Sequence, residues 1–281
     1  MGTNYQLLDV ENYSHLDQDP RIASVEEQNV KPSLSSHCSV YYRGEVWAFG
    51  GDATPTSTYR LKNGRWQRGP DMPEGRTRFG CAVFDKSVWM CGGQSEAGVG
   101  YSDCVKFQIK LSKKGKEVTS FELGPQMAEK RPFSPNMVTT SEGLFVIGGT
   151  HDSRLIETIT VDGSYWGPAP NLPVELYDTA SVVLDDVIYV LGGVLGESQE
   201  ESGNVFSLTI GTPYWEWAGS LSLPRSGMSA TPVPGSTKVM IFGGRGIRPN
   251  EIWHKNDTRS IFDEFHVNRI GSTLLTLPGD F

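Results

Sequence analysis

The chain has 281 residues, a formal net charge of −8 and four cysteines. An acidic chain lacks the positive field that draws in phosphates, so this composition argues against binding to nucleic acid or to an anionic membrane surface. A chain of this length buries about 75% of its unfolded surface and therefore needs no disulfide or metal for stability.

Cysteine and histidine usage indicates neither a metal site nor a redox motif. Cys81 and Cys91 lie on the two arms of one predicted hairpin, in which Cys81 pairs with Met90, so their sulfurs point to opposite faces and we expect no bond between them. The chain has no CxxC motif and only five scattered histidines, and we predict no metal or other cofactor. No apolar run reaches 18 residues and no signal peptide is recognisable, so we expect a cytoplasmic protein.

Residues 1–33 are polar and acidic and contain two weak strand candidates, at 5–10 and 22–25. They lack the motif that marks the rest of the chain. We interpret 1–33 as an N-terminal arm or as extra strands, and 34–281 as one domain.

From Ser36 onward one pattern recurs five times, and each copy contains an apolar run that ends in two glycines. The runs are VWAFGG at 46–51, VWMCGG at 88–93, LFVIGG at 144–149, IYVLGG at 188–193 and VMIFGG at 239–244. Four apolar residues bounded by turn residues favour a buried strand, and glycine tolerates the positive φ of a sharp turn at its end. The glycine pairs lie 42, 56, 44 and 51 residues apart, which suits a repeat of about four strands.

Three further strands are predicted around each glycine run, which is strand b of its unit. Strands a, c and d are predicted at 37–42, 57–61 and 65–69; at 81–84, 105–111 and 118–124; at 137–140, 158–161 and 165–173; at 181–184, 205–210 and 214–224; and at 227–234, 262–267 and 272–278. Four-stranded antiparallel sheets with two apolar faces bury them by packing radially around an axis. The fold class is therefore all-β, and the predicted architecture is a β-propeller.

The unit resembles the kelch repeat. The resemblance rests on the Gly-Gly end of strand b, on Tyr59 followed seven positions later by Trp66, and on the closing Met72-Pro73, and it covers residues 36–278. It implies a kelch-type β-propeller with five recognisable blades, or six if the terminal segments complete another. The second unit departs from the pattern with Phe121 where tryptophan is usual.

The resemblance implies a non-catalytic protein–protein interaction module. Kelch domains select substrates for ubiquitin ligases or bind cytoskeletal proteins as scaffolds. The sequence contains no BTB or BACK region of the kelch-like substrate adaptors, so an adaptor role would require another subunit or a longer parent protein.

The alternative is a small-molecule enzyme with a site at the channel mouth, resembling mutarotases or metal-dependent lyases. No G-x-S-x-G elbow is present, and the few histidines suggest no copper site. Trp47, Trp66, Trp89 and Trp166 recur at equivalent strand positions, so we predict that they pack between blades rather than bind a ligand.

The predicted binding face is the end of the ring that carries the long b–c and d–a connections, because binding residues concentrate on long loops of a rigid scaffold. Seven arginines are predicted there as partner-binding residues: Arg76, Arg78, Arg131, Arg154, Arg225, Arg245 and Arg248. Their planar guanidinium groups suit a peptide motif that carries Asp, Glu or phosphate. The alternative is ordinary solvated loop charge, neutralised by Glu74, Glu129, Asp152 and Glu175.

Two other charged groups complete the predicted surface. Closure of blade 5 onto blade 1 would bring Arg225, Arg245 and Arg248 near Arg76 and Arg78, while blade 4 would present Glu197, Glu200 and Glu201. A basic run, Lys110, Lys113, Lys114 and Lys116, falls on an outer hairpin, where lysine commonly protects a sheet edge. The oligomeric state and the identity of the partner stay open.

Overall fold

The computed structural model describes residues 35–63, 65–160, 164–233, 235–246 and 249–255, and the main chain of 260–262. All of its regular structure is β. The strands are β1 (Cys38–Tyr42), β2 (Glu45–Phe49), β3 (Thr58–Lys62), β4 (Arg65–Arg68), β5 (Gly80–Phe84), β6 (Ser87–Cys91), β7 (Cys104–Leu111), β8 (Glu117–Leu123), β9 (Asn136–Thr139), β10 (Gly143–Ile147), β11 (Ile156–Thr160), β12 (Gly167–Pro168), β13 (Leu176–Tyr177), β14 (Ala180–Leu184), β15 (Val187–Leu191), β16 (Val194–Leu195), β17 (Asn204–Thr209), β18 (Glu216–Ser220), β19 (Met228–Pro232), β20 (Lys238–Gly243), β21 (Asn250–His254) and β22 (Ser260–Phe262).

Within the described residues these strands form five four-stranded antiparallel sheets, which are the blades of a propeller. Blade 1 contains β1–β4, blade 2 β5–β8, blade 3 β9–β12, blade 4 β14, β15, β17 and β18, and blade 5 β19–β22. The short strands β13 and β16 pair outside the blades. None of the described residues forms a helix, and so this part of the chain has no apolar helix long enough to cross a bilayer.

The predicted all-β kelch-type propeller is confirmed, and all five glycine runs are strands followed by a turn. The fifth unit was assigned wrongly. Residues 250–254, predicted as part of a long loop, form its third strand: Ile252 and Trp253 are both buried, and Trp253 packs in the interface with blade 4. Phe262, predicted in the third strand, lies in the fourth. The strand candidates at 5–10, 22–25 and 272–278, and the proposed arm at 1–33, lie outside the described residues.

The hydrophobic core is divided among the interfaces between neighbouring blades. Trp47 and Phe107, with ring centroids 4.9 Å apart, pack blade 1 against blade 2. Trp89 and Trp166 meet edge to face at 6.3 Å between blades 2 and 3. The prediction that the recurring tryptophans pack between blades is therefore confirmed for these three, because each is buried in an inter-blade cluster.

The glycine pairs allow the connection between blades to approach the end of strand b. Gly192 has φ 58°, and a Cβ atom there would lie 2.6 Å from the carbonyl oxygen of Arg225, closer than any side chain tolerates. The next glycine, Gly193, donates its N–H to the same oxygen at 2.9 Å. Glycine is thus required here both by the backbone conformation and by the close contact.

The four cysteines form two disulfides that the sequence analysis did not predict. Cys38 bonds to Cys81, which joins the innermost strands of blades 1 and 2, and Cys91 bonds to Cys104 directly across β6 and β7. The expectation that Cys81 and Cys91 do not bond to each other is confirmed, since Cys81 pairs with Met90. Disulfides persist mainly in oxidising compartments, and the cytoplasmic location stays a prediction.

Substitution of Gly192 by alanine should destabilise the protein far more than substitution of Gly98. Both glycines have positive φ, so both variants carry a backbone cost of about 1–2 kcal/mol. A Cβ at Gly98 meets nothing within 4 Å, whereas at Gly192 it meets Arg225, and we expect a total loss of about 3 kcal/mol or more. Urea unfolding of both variants measures the difference; equal losses would show that the close contact has no cost.

Removal of the Cys38–Cys81 bond should cost more stability than removal of the Cys91–Cys104 bond. The paired residues lie 43 and 13 positions apart, and loop closure in the unfolded chain predicts losses of about 4 and about 3 kcal/mol. Urea unfolding of the C38A/C81A and C91A/C104A variants tests this order. A thiol assay in urea without reductant should detect no free cysteine, and four reactive thiols would contradict both pairings.

Candidate functional site

A cavity of about 720 Å³ opens at the end of the ring where the b–c and d–a connections lie. We call it the mouth cavity. Residues from blades 1 to 5 or from their connections line it, and its charged and aromatic members include Arg78, Phe133, His151, Glu175, Asp178 and Arg245. The long-loop end therefore carries a concave surface of mixed polar and apolar character, of the kind on which binding residues concentrate.

The rim of the mouth cavity is built from one structurally equivalent residue per blade. In each blade, the residue just before the glycine pair on strand b pairs with a residue of strand a, and the rim residue lies two positions before that partner. The five rim residues are Ser36, Arg78, Ser134, Asp178 and Gly227. All five have a left-handed backbone, with φ between 48° and 63°. Such a conformation costs about 1–2 kcal/mol for any residue other than glycine, so four of the five positions hold a side chain at a cost.

Main-chain hydrogen bonds link successive rim residues. Arg78 N–H donates to the carbonyl of Ser36 at 3.0 Å, and Ser134 N–H donates to the carbonyl of Arg78 at 3.1 Å. Between the last two blades, Gly227 N–H donates to the carbonyl of Asp178 at 2.8 Å. The rim backbone is consequently held in place, and its side chains are free to differ from blade to blade.

Arg78 is the exposed cation of this rim. Its side chain lines the mouth cavity and forms no ion pair within the described part of the chain. Arg245 lines the same cavity but binds the Asp178 carboxylate. The structure thus brings two of the predicted arginines to one cavity, and it leaves the charge of Arg78 unbalanced by a described neighbour.

Arg154 is exposed on the b–c loop of blade 3 and does not line the mouth cavity. Its Nε and Nη2 each donate to the carboxylate of Asp152 at 2.9 Å. This hydrogen bonding lowers the pKa of Asp152. For Arg154 the alternative of locally neutralised loop charge fits better than an open binding group. Arg248 lies outside the described residues.

The prediction that all seven arginines lie on an exposed face was wrong for Arg76, Arg131 and Arg225. The side chains of these three are completely buried. Each binds a carboxylate of its own blade: Arg76 that of Asp103, Arg131 that of Glu157 at 2.7 Å, and Arg225 that of Glu251 at 3.1 Å. A buried guanidinium has to be paired, and these three therefore have no surface to offer to a partner.

Main-chain carbonyl groups also accept hydrogen bonds from the buried arginines. Arg76 Nη1 donates to the carbonyl of Gly92 at 3.0 Å, and Arg225 Nη1 donates to that of Pro249 at 2.9 Å. Arg131 Nη1 donates to the carbonyls of Gly148 and Leu155. Burial lowers the pKa of Arg131, and its hydrogen bond and ion pair with Glu157 oppose that shift. The guanidinium groups hold the b–c loops closed, which is a structural role.

The acidic residues predicted on blade 4 divide in the same way. Glu197 and Glu200 are exposed, whereas Glu201 is half-buried and accepts a hydrogen bond from the hydroxyl of Ser226 at 2.8 Å. Among the described residues, no three His, Cys, Asp or Glu side chains form a group that could hold a metal ion. His151 lies at the mouth cavity beside Phe133, with ring centroids 5.4 Å apart.

The five rim residues were not recognised as a set from the sequence, although the sequence contains a signal. In four units the rim residue precedes the first glycine of the pair by fourteen positions, as Ser36 precedes Gly50 and Arg78 precedes Gly92. Ser, Arg, Ser and Asp share no chemistry, so composition hides the equivalence. Only the fifth unit, with Gly227, has the residue that indicates a left-handed position.

Substitution of Arg131 by methionine should destabilise the protein by about 3–5 kcal/mol, because it leaves the Glu157 carboxylate buried without its cation. The matched control is Arg154→Met, which removes an exposed pair and should cost at most about 1 kcal/mol. Thermal and urea unfolding of both variants give the comparison. Equal stability of the two variants would contradict the structural role of the buried arginines.

Comparison with known proteins finds relatives that match the chain over part of their own length. The chain is 25% identical to beta-scruin of Limulus polyphemus over 279 residues, which cover 86% of the chain and 29% of beta-scruin. It is 30% identical to human kelch-like protein 33 over 139 residues, which cover 48% of the chain and 25% of that protein. The chain thus matches less than a third of the length of either relative, and no protein-family model matches it.

A solved structure, titled "Structure of YjhT", has the same fold. It superposes with a TM-score of 0.72 at 16% identity, and the match covers 91% of each chain. This likeness concerns the fold alone. The five repeats, the five blades and the similarity to kelch-repeat proteins together show that the chain has the architecture of a kelch-repeat β-propeller.

Proposed function

We propose that the chain is a non-catalytic protein–protein interaction module that grips a peptide segment of a partner at the mouth cavity. Kelch-repeat relatives support an interaction or scaffold role in general. The names of several relatives join kelch repeats to a BTB domain or an F-box, as expected of modules that recognise one protein within a larger assembly. Substrate adaptors and cytoskeletal scaffolds are two forms that this role takes.

The observation that carries the proposal is the placement of Arg78. Its exposed guanidinium stands on a fixed backbone at the rim, in a left-handed conformation that glycine would adopt at lower cost. An exposed arginine held at such a cost, without a described acid to balance it, suits the recognition of a carboxylate or phosphate. We infer that the partner segment carries Asp, Glu or a phosphorylated residue at this contact.

The surroundings of Arg78 suit a segment longer than one residue. Arg245 lines the same cavity, and its exposed guanidinium group can exchange the carboxylate of Asp178 for that of a partner. Phe133 and His151 supply aromatic surface. Glu175 and Asp178 give the blade 4 side of the cavity the opposite charge. A segment with its acidic group toward Arg78 is therefore favoured over one in the reverse orientation.

Reversal of the charge at Arg78 tests the proposal. Wild-type protein, Arg78→Glu and Arg78→Gly are used as baits on one extract, and captured proteins are compared by mass spectrometry. We expect the specific partner to be lost on both variants, with at least about a tenfold weaker affinity when it is measured with the purified partner. Binding to the wild type should weaken as salt screens the contact.

The glycine variant and a distant charge reversal serve as controls. Arg78→Gly removes the side chain at a backbone position that glycine favours, so its melting temperature should equal or exceed that of the wild type. Arg65→Glu reverses an exposed charge on β4, outside the mouth cavity, and should bind normally. A partner that binds both Arg78 variants as well as it binds the wild type would remove this face from consideration.

A further inference from the structure

The outer edge of blade 2 differs from the outer edges of the other blades. Strand β8 is seven residues long, whereas β4, β12, β18 and β22 have four, two, five and three residues. Its neighbour β7 has eight residues, of which only Cys104 to Phe107 pair with β6. The β7–β8 hairpin therefore extends beyond the inner strands of its own blade.

The register of this hairpin determines which main-chain groups of β8 point outward. Ser112 N–H donates to the carbonyl of Lys116, and Gly124 N–H donates to that of Cys104. Because hydrogen-bonded pairs alternate along an antiparallel ladder, the even-numbered residues of β8 bond to β7. The N–H and C=O groups of Glu117, Thr119, Phe121 and Leu123 consequently face away from the sheet, and no described strand pairs with them.

Natural sheets protect such an edge with short strands, proline, bulges or charged residues. Strand β12 is short and contains Pro168, and β18 carries a register shift opposite Val205. Strand β4 is short and begins and ends with arginine. Strand β8 is neither short nor bulged: it pairs with β7 over its full length without a register shift, and it contains no proline or lysine. The lysines once expected to protect this edge lie on the turn and on β7.

The side chains around this edge combine apolar surface with positive charge. Leu111, Val118 and Leu123 are 66%, 50% and 74% exposed, although each is a large apolar residue. Glu117 is paired with Arg60 and Glu122 with Lys110. Lys113, Lys114 and Lys116, which form the exposed turn, have no ion pair within the described part of the chain. One end of the edge is therefore positive, on a protein whose net charge is negative.

We propose that the edge of β8 binds an extended segment of a partner protein, which adds a fifth strand to blade 2. The segment runs antiparallel to β8, pairs with the outward main-chain groups of Thr119, Phe121 and Leu123, and places apolar side chains beside Val118 and Leu123. Its carboxyl-terminal end meets the turn and carries Asp or Glu, which pair with Lys113, Lys114 and Lys116. This surface lies apart from the mouth cavity and does not depend on its function.

The test uses two labelled ten-residue peptides that share a run of threonine and valine with valines on both faces of the extended strand, one ending in two glutamates and the other in two lysines. Fluorescence anisotropy at low salt should give at least about tenfold tighter binding of the glutamate peptide, a difference that salt reduces. With the Lys113→Glu/Lys114→Glu variant the preference should reverse. In hydrogen exchange, the glutamate peptide should protect the amides of Thr119, Phe121 and Leu123.

A pair of substitutions at Thr119 isolates the main-chain contact. Thr119→Pro removes an outward N–H and leaves the β7–β8 ladder intact, so the protein should fold and bind the glutamate peptide at least about tenfold more weakly. Thr119→Ala keeps the N–H and should bind like the wild type, as should Arg78→Glu.

Three results of the peptide experiments would overturn the proposal. They are equal binding of the two peptides, equal binding by the Thr119→Pro and Thr119→Ala variants, and exchange protection confined to residues outside β8. Sedimentation that shows a dimer lost on Thr119→Pro would also overturn it, since the edge would then pair with a second copy of the chain.

Discussion

Most junctions between blades depend on one arginine that binds the two neighbouring blades at once. The carbonyl of Arg76 accepts the N–H of Gly51 at the end of blade 1, while its guanidinium binds the carbonyl of Gly92 and the carboxylate of Asp103 in blade 2. Arg131 makes the same two kinds of contact with Gly93 and Glu157, and Arg225 makes them with Gly193 and Glu251. The glycine pair is the receiving half of this contact, because a Cβ there would collide with the arginine carbonyl.

The junction between blades 3 and 4 shows what the contact requires. Leu176 precedes Gly192 by the sixteen positions that separate Arg76 from Gly92, and it is buried. The residue opposite Val190 on the third strand is Phe206, where the third and fifth blades have Glu157 and Glu251 opposite Val146 and Ile241. Cation and anion have been replaced together by two apolar residues, which avoids an unpaired buried charge.

The fold was predictable because its main signal is repeated and physical. Gly-Gly at the end of an apolar run marks the place where the main chain of the connection between blades comes close to the end of strand b. Trp89 and Trp166 recur because they fill the space between blades. The fifth unit failed because the long stretch after Gly244 resembles a loop, and strand β21 is recognised only by its contacts with blade 4. The Cys38–Cys81 disulfide was missed because the two residues meet across two blades, and sequence spacing does not reveal that proximity.

The candidate site was less predictable, for a reason that Arg76 and Arg78 illustrate. They are two positions apart on one loop, and the residue type alone does not distinguish them. Arg76 is nevertheless fully buried, whereas Arg78 is exposed. What separates them is their place in the repeat: Arg76 binds the carbonyl of Gly92 and the carboxylate of Asp103, whereas Arg78 holds the left-handed rim position at the cavity. A loop arginine in a repeat protein therefore has to be assigned by its position in the repeat, and charge alone does not identify a binding residue.

The repeat constrains the rim residue and the outer strand only weakly, and the blades differ at both places. The rim position holds Ser, Arg, Ser, Asp or Gly without a change in backbone, so the packing of the ring does not dictate its side chain. The outer strands vary from two to seven residues, because only one side of each is paired within its blade. Positions that the ring leaves undetermined are available for recognition at no cost to the core. The left-handed arginine at the rim and the exposed apolar residues beside β8 both lie at such positions.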